Sequence, residues 1–87
     1  MRIKKGYILR KLGEEYIAVA VGEAGKQFNG MIRMNAVGAW LWEQLKNDVS
    51  QEELLSRFCA NFAELTHETA QADLNEFLES IGQALER

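Results

Sequence analysis

The hydrophobic pattern of this chain changes its period at Asn35. Before that residue, positions 7–10 and 16–21 are short runs of mainly β-branched, aromatic and other apolar side chains, which is typical of strands. After it, apolar residues recur every three or four positions, as they do along one face of a helix. The order of these two patterns predicts an α+β domain in which a sheet is followed by helices.

The first part of the chain predicts three strands. Residues 7–10 and 16–21 flank Gly13 and Glu14, and a glycine at the first turn position favours a two-residue type II′ hairpin. Residues 22–30 contain three glycines and are interpreted as a loop with a mobile tip. A short third strand is expected at 31–34.

Three polar residues predict where the helices begin. Asn35 is a favourable N-cap for a helix that runs to about Leu45. Ser50 and Glu53 have the spacing of a capping box, in which each side chain binds the other's backbone N–H. Thr66 is expected to cap a third helix that runs to about residue 85, with an apolar stripe formed by Ala70, Leu74, Phe77, Leu78, Ile81 and Leu85.

The two tryptophans are predicted to differ in burial. Trp42 lies at the edge of the apolar stripe of the first helix, whereas Trp40 lies about 200° away around the helix axis. Both indoles cannot point into one core, so Trp42 is expected to be the more buried of the two.

Three short strands followed by three helices is the element order of a winged helix-turn-helix-like α+β fold with an antiparallel sheet. A chain of 87 residues buries only about 60 to 65% of its unfolded surface, enough for one domain over 1–87 but not for a large cofactor cavity. One cysteine and one histidine cannot provide an internal disulfide or a structural zinc site. No metal and no cofactor are expected.

The charges are distributed unevenly along the chain. Residues 1–46 hold eight basic and four acidic side chains, while residues 47–87 hold two basic and nine acidic ones. A winged-helix DNA-binding transcriptional regulator is the alternative function for this element order, and its third helix would enter the major groove. From Glu64 onward, however, there are six acidic residues and one basic residue, so nucleic acid is not the expected partner.

The longest apolar run, at 16–21, has six residues, far fewer than the roughly 20 that span a bilayer. No targeting signal is evident at the start of the chain. A soluble cytoplasmic protein without a membrane partner is therefore expected.

Few side chains suggest catalysis. Cys59 falls on the apolar stripe of the second helix and is interpreted as a core residue, and His67 is expected to be exposed in the first turn of the third helix. The acidic residues of the third helix lie around a solvated face without a partner nucleophile. The sequence therefore predicts that the chain is not an enzyme.

The strand at 31–34 has a second interpretation besides that of a covered third strand whose methionines fill the core. If it lies at the edge of the sheet, its backbone can pair with an incoming extended peptide, with the third helix as a groove wall. The same edge could instead pair two copies of the chain in a self-associating scaffold.

Several stretches together resemble the PqqD family, the small peptide-binding proteins named for pyrroloquinoline quinone (PQQ) biosynthesis and related to the recognition elements of peptide-modifying enzymes. The matching stretches span nearly the whole chain and are GYILR at 6–10, FNGMI at 28–32, MNAVGAWLWE at 34–43, SQEEL at 50–54 and DLNEFL at 73–78. The resemblance implies a non-catalytic peptide chaperone. Such a protein captures the leader of a ribosomally made precursor peptide and presents it to a radical S-adenosylmethionine (SAM) enzyme or another modifying enzyme.

The resemblance also implies where the peptide binds. In the family the leader adds as a strand to the third strand and lies against the third helix, which here corresponds to Met31, Ile32, Arg33, Met34, Asp73, Leu74, Phe77, Leu78 and Ile81. Many relatives continue after the third helix with a glycine and apolar residues, whereas the helical pattern here continues through 83–85, which argues against a final strand. A monomer or weak homodimer is expected.

Overall fold

The computed structural model describes residues 1–22 and 30–86. The strands are β1 (Arg2–Ile3), β2 (Tyr7–Leu12), β3 (Glu15–Ala20), β4 (Met31–Met34) and β5 (Leu85–Glu86). The helices are α1 (Ala36–Gln44), α2 (Gln51–Asn61) and α3 (His67–Ser80), and a single 3₁₀ turn follows at Gly82–Ala84. The three predicted strands and three predicted helices are all present.

The main sheet is antiparallel, with the strand order β2-β3-β4. Gly13 has a φ of +65°, and no residue other than glycine has a positive φ in the described part of the chain. A type II′ turn at Gly13 and Glu14 requires a positive φ at the first of these residues and a negative φ at the second. The predicted hairpin is therefore confirmed. The predicted loop at 22–30 lies mostly outside the described residues.

The three predicted helix caps are confirmed. The Asn35 side chain accepts a hydrogen bond from the Gly38 backbone N–H, and Ser50 and Thr66 accept equivalent bonds from Glu53 and Thr69. The prediction that the Glu53 side chain accepts a hydrogen bond from the Ser50 backbone N–H was wrong. The Glu53 carboxylate instead accepts a hydrogen bond from Arg57 at 2.8 Å, because a full charge one helical turn away competes with the Ser50 backbone N–H.

The helices and the inner face of the sheet enclose one hydrophobic core. Its largest fully buried side chains are Trp42, Phe58, Leu41, Leu45, Leu54, Leu74 and Ile81. Trp42 is 2% exposed, whereas Trp40 is half-buried and packs against the rings of Phe58 and Phe62. The predicted difference between the two tryptophans is confirmed. No helix in the described ranges is both long and apolar enough to cross a membrane.

The end of the chain differs from the sequence prediction. Helix α3 ends at Ser80 rather than near residue 85, and β5 pairs antiparallel with β1 in a second, two-stranded sheet. The chain leaves the helix at Ile81, and the 3₁₀ turn allows Ile81, Ala84 and Leu85 all to be buried. The expectation of no final strand was wrong because β1, the partner of β5, has only two residues and produces no recognisable strand pattern.

The first residues are held by contacts with distant parts of the chain. Ile3 donates a backbone hydrogen bond to Leu45, and Lys4 donates one to Ala84. The Met1 amine lies 2.7 Å from the Asp48 carboxylate, and this hydrogen bond and positive charge lower the pKa of Asp48 below its ordinary value. Strand β1 is therefore joined both to the end of α1 and to the segment after α3.

Candidate functional site: a groove beside an edge strand

Strand β4 lies at an edge of the main sheet. It pairs with β3 from Val19↔Met31 to Tyr16↔Met34, and within the described residues no strand pairs with its other side. Ile32 and Met34 are half-buried against the core, while Met31 and Arg33 are exposed. The outer side of β4 therefore offers backbone N–H and C=O groups to a further strand.

Two adjoining recesses separate β4 from α3, and together we call them the β4–α3 groove. The first has a volume of about 500 Å³ and is lined by Arg33, Met34, Asn35, Val37, Gly38, Leu41, Phe58, Asp73, Glu76, Phe77 and Ser80. The second has a volume of about 570 Å³ and is lined by Met31, Ile32, Arg33, Glu79, Ser80, Gly82 and Gln83. Because Arg33 and Ser80 line both recesses, the groove is continuous along the edge strand.

The groove depends on a close approach at Gly38, in the first turn of α1. A Cβ atom at this position would lie 2.9 Å from the Met34 Cβ and 3.4 Å from a ring carbon of Phe77. The first distance is shorter than any ordinary contact between carbon atoms. Gly38 therefore allows the end of β4, the start of α1 and the ring of Phe77 to meet at the floor of the groove.

The two walls of the groove carry opposite charges. Arg33 lies on the strand side, and Asp73, Glu76 and Glu79 lie on the α3 side. In the described part of the chain, none of these four side chains has an ion-pair partner within 4.0 Å. All four are exposed, so they are available to a bound molecule.

The structure brings six of the nine sequence-predicted site residues to the groove, namely Met31, Ile32, Arg33, Met34, Asp73 and Phe77. The other three, Leu74, Leu78 and Ile81, are at most 3% exposed and belong to the core. The sequence reasoning missed Glu76, Ser80 and Gly38 as groove residues. Positions 76 and 80 lie one helical turn or less from Asp73 and Phe77, so helical spacing could have identified them.

Three comparisons relate this chain to known proteins. The family model described as "Coenzyme PQQ synthesis protein D (PqqD)" matches residues 15–84, which is most of the chain. The chain belongs to the PqqD family. A comparison with proteins of curated function gives no match.

A solved structure with the same fold as this PqqD-family chain is that of "TbiB1 in Complex with the TbiA(beta) Leader Peptide". The alignment covers 94% of this chain and 88% of that chain, with a TM-score of 0.71 and 22% sequence identity. At this identity the likeness shows the fold, a three-stranded sheet followed by three helices, which confirms the predicted fold class.

The groove of this PqqD-family chain offers backbone pairing, an apolar floor and charged walls, but no thiol or imidazole lines it. Cys59 and His67 line a separate recess, and within the described residues no hydrogen bond joins them. The described residues also contain no cluster of His, Cys, Asp and Glu that could hold a metal ion. The free backbone edge of β4 and the apolar floor beside it are suited to contact with an extended chain.

Proposed function

We propose that this chain is a recognition element that binds the leader of a ribosomally made precursor peptide and presents it to a modifying enzyme. The observation that carries the proposal is the free edge of β4 directly beside the β4–α3 groove. Membership of the PqqD family and the shared fold with TbiB1, whose structure holds a leader peptide, support it.

Strand addition explains how a shallow groove can bind a peptide. An extended leader forms main-chain hydrogen bonds with the free edge of β4, and alternate side chains point into the groove and away from it. Those that point inward lie against Phe77 and beside the carboxylates of Asp73 and Glu76. We narrow the proposed contact residues to Met31, Ile32, Arg33, Met34, Asp73, Glu76, Phe77 and Ser80.

In this proposal the chain supplies proximity and no chemistry of its own. Holding the leader beside an enzyme converts an encounter of free molecules into a reaction within one complex. We propose a radical SAM enzyme as that partner, on the basis of the family resemblance. A different peptide-modifying enzyme is the alternative partner.

A DNA-binding function is disfavoured by the surface of α3. The residues Glu68, Asp73, Glu76 and Glu79 are exposed along this helix, and within α3 no Lys or Arg balances them. A helix inserted into the major groove faces phosphates on both sides, so this acidic surface would be repelled.

The test is an NMR titration of the isotopically labelled chain with the precursor peptide encoded beside it. The backbone amide signals of the chain are followed as peptide is added. The amides of β4 and α3 should shift on binding, and the shifts should be small on α2. Shifts confined to α2 or to the β2 edge would contradict the proposed site.

A blocking variant makes the test sharper. Ser80→Trp places a large ring where the two recesses join, so the peptide should bind about tenfold more weakly or worse, a loss of about 1.4 kcal/mol. Ser56→Trp is the matched control, because Ser56 is an exposed helical serine on α2, away from the groove. Equal peptide affinities for the two variants would place the peptide elsewhere.

A further inference from the structure

The exposed large apolar side chains of the described residues are concentrated on one side of the main sheet. They are Ile8, Leu12, Val21 and Met31, and they are 39%, 59%, 41% and 55% exposed. Ile8 and Leu12 alternate with Tyr7 and Leu9, which pack on the core, so they lie on the opposite face of β2. Met31 on β4 and Val21, which directly follows β3, lie on the same face of the sheet as Ile8 and Leu12.

The strand pairing joins some of these side chains into a continuous row. Ile8 pairs with Val19, and Val19 pairs with Met31, so three apolar residues lie side by side across the whole sheet. Directly paired side chains are about 5 Å apart, which makes the row contiguous. An apolar surface of this kind on a small protein is typical of a site of protein association.

The neighbouring row carries positive charge. Arg10 pairs with Ile17, and Ile17 pairs with Arg33, so an arginine stands on each side of an isoleucine. Ile17 is only 7% exposed, and an arginine paired directly with an apolar residue can cover it with its aliphatic stem. Neither guanidinium has an ion-pair partner in the described part of the chain.

We propose that this outer face, formed by Ile8, Val19, Met31, Arg10 and Arg33, is the docking surface for the peptide-modifying enzyme. The enzyme surface that fits it has an apolar centre and acidic side chains at its rim. This inference rests on the proposed function, since it assumes that the chain delivers a peptide to an enzyme.

The charges favour a different protein over a second copy of the chain. A twofold dimer whose axis passes near Ile17 would bring the same patch of both copies together and place the arginines of one copy near those of the other. Like charges in an interface cost free energy, whereas carboxylates from another protein would pair with the guanidinium groups. The arginines therefore select an acidic partner.

The position of the outer face couples enzyme docking to peptide binding. Met31 and Arg33 belong to β4, and a peptide added to β4 lies about 4.8 Å away with alternate side chains on the same face. An enzyme docked there contacts both the chain and the loaded peptide. Each of the two ligands then strengthens the binding of the other by the same factor.

The experiment uses two substitutions on β2, the strand farthest from the groove. Ile8→Glu and Arg10→Glu change the outer face without touching any proposed peptide contact. Ala60→Glu and Lys5→Glu are the matched controls, since each makes the same change of charge at an exposed position elsewhere. The probe is the enzyme that co-purifies with the chain and modifies the precursor peptide in its presence.

Calorimetry measures the affinity of this enzyme for the peptide-loaded chain and the affinity of the chain for the peptide. Ile8→Glu and Arg10→Glu should weaken enzyme binding about tenfold or more, as substitutions at the centre of an interface do. Both variants should bind the peptide like the unaltered chain, and both controls should bind the enzyme normally.

Unchanged enzyme affinity in both variants would overturn the docking surface while leaving the proposed function intact, provided that the peptide still binds. If the unaltered chain self-associates in sedimentation and Ile8→Glu abolishes this self-association, the outer face is a dimer interface and the enzyme docking surface is overturned. Failure of the unaltered chain to bind the peptide at β4 would instead contradict the proposed function itself.

Discussion

Gly38 shows how a single residue can determine the shape of the groove. A glycine within a helix normally lowers helix stability, and replacing it with alanine stabilises an exposed helix by about 1 kcal/mol. At Gly38 the sign should reverse, because the added Cβ would lie 2.9 Å from the Met34 Cβ. Either β4 or α1 must then move.

We expect Gly38→Ala to destabilise the chain by about 1 to 3 kcal/mol, the usual cost of overpacking, as measured by urea denaturation. The variant should also bind the leader peptide more weakly, since Met34 and Phe77 would be displaced. Gly82→Ala is the control for stability alone, because a Cβ there meets nothing within 4 Å but Gly82 lines the second recess. Equal stabilities for the two variants would show that the close approach is unimportant.

Roles that depend on neighbouring residues could be predicted from the sequence, whereas roles that depend on distant parts of the chain could not. The capping roles of Asn35, Ser50 and Thr66 depend on a few neighbouring residues and could be predicted from the sequence. The role of Gly38 depends on β4 and α3, which converge only in the folded chain. The burial of Leu74 and Leu78 likewise depends on which face of α3 meets the core.

At the scale of elements, the two edges of the main sheet make a natural comparison. Strands β2 and β4 both have one unpaired side within the described residues, but only β4 borders the groove. In the free chain, amides on the outer sides of both strands should exchange rapidly with solvent. Bound peptide should slow exchange in β4 and leave β2 unchanged, as measured by hydrogen exchange with and without peptide. Slower exchange at β2 alone would assign strand addition to the other edge.

The pairing of β1 with β5 gives a second prediction at this scale. Leu85 is 6% exposed and belongs to the core cluster, whereas the neighbouring Glu86 is exposed. Leu85→Ala should destabilise the chain by at least about 2 kcal/mol in urea denaturation, as expected for a buried leucine.

Glu86→Gln is the control for Leu85→Ala, since it removes only the exposed ion pair with Arg2, worth about 0 to 1 kcal/mol. A loss for Leu85→Ala no larger than that of the control would mean that β5 contributes little to the fold. Helical periodicity alone misassigned Leu85 to α3, because a helix and a turn followed by a strand can both bury residues 81, 84 and 85.

At the scale of the whole molecule, peptide binding and folding are linked. A ligand that binds only the folded chain stabilises it by about 2.7 kcal/mol when its free concentration is one hundred times the Kd. For a domain of this size, each kcal/mol raises the Tm by about 4 to 8 °C. The precursor peptide should therefore raise the Tm by about 10 °C or more in calorimetry, and Ser80→Trp, which weakens binding about tenfold or more, should reduce this rise by about half or more at the same peptide concentration. A Tm that does not depend on peptide concentration would contradict binding to the folded state.

The shortness of β4 has a consequence for the accuracy of modification. A strand edge of four residues recognises backbone, and a peptide that slips by two residues keeps the same hydrogen-bonding pattern and the same inward face. Such a slip moves the peptide by about 6.8 Å along the edge. Only side chains such as Phe77 and Glu76 can distinguish the two alignments. The side chains of the groove wall would thus fix the alignment of the leader along β4. This alignment sets how far the modified residue lies from the point where the leader is held.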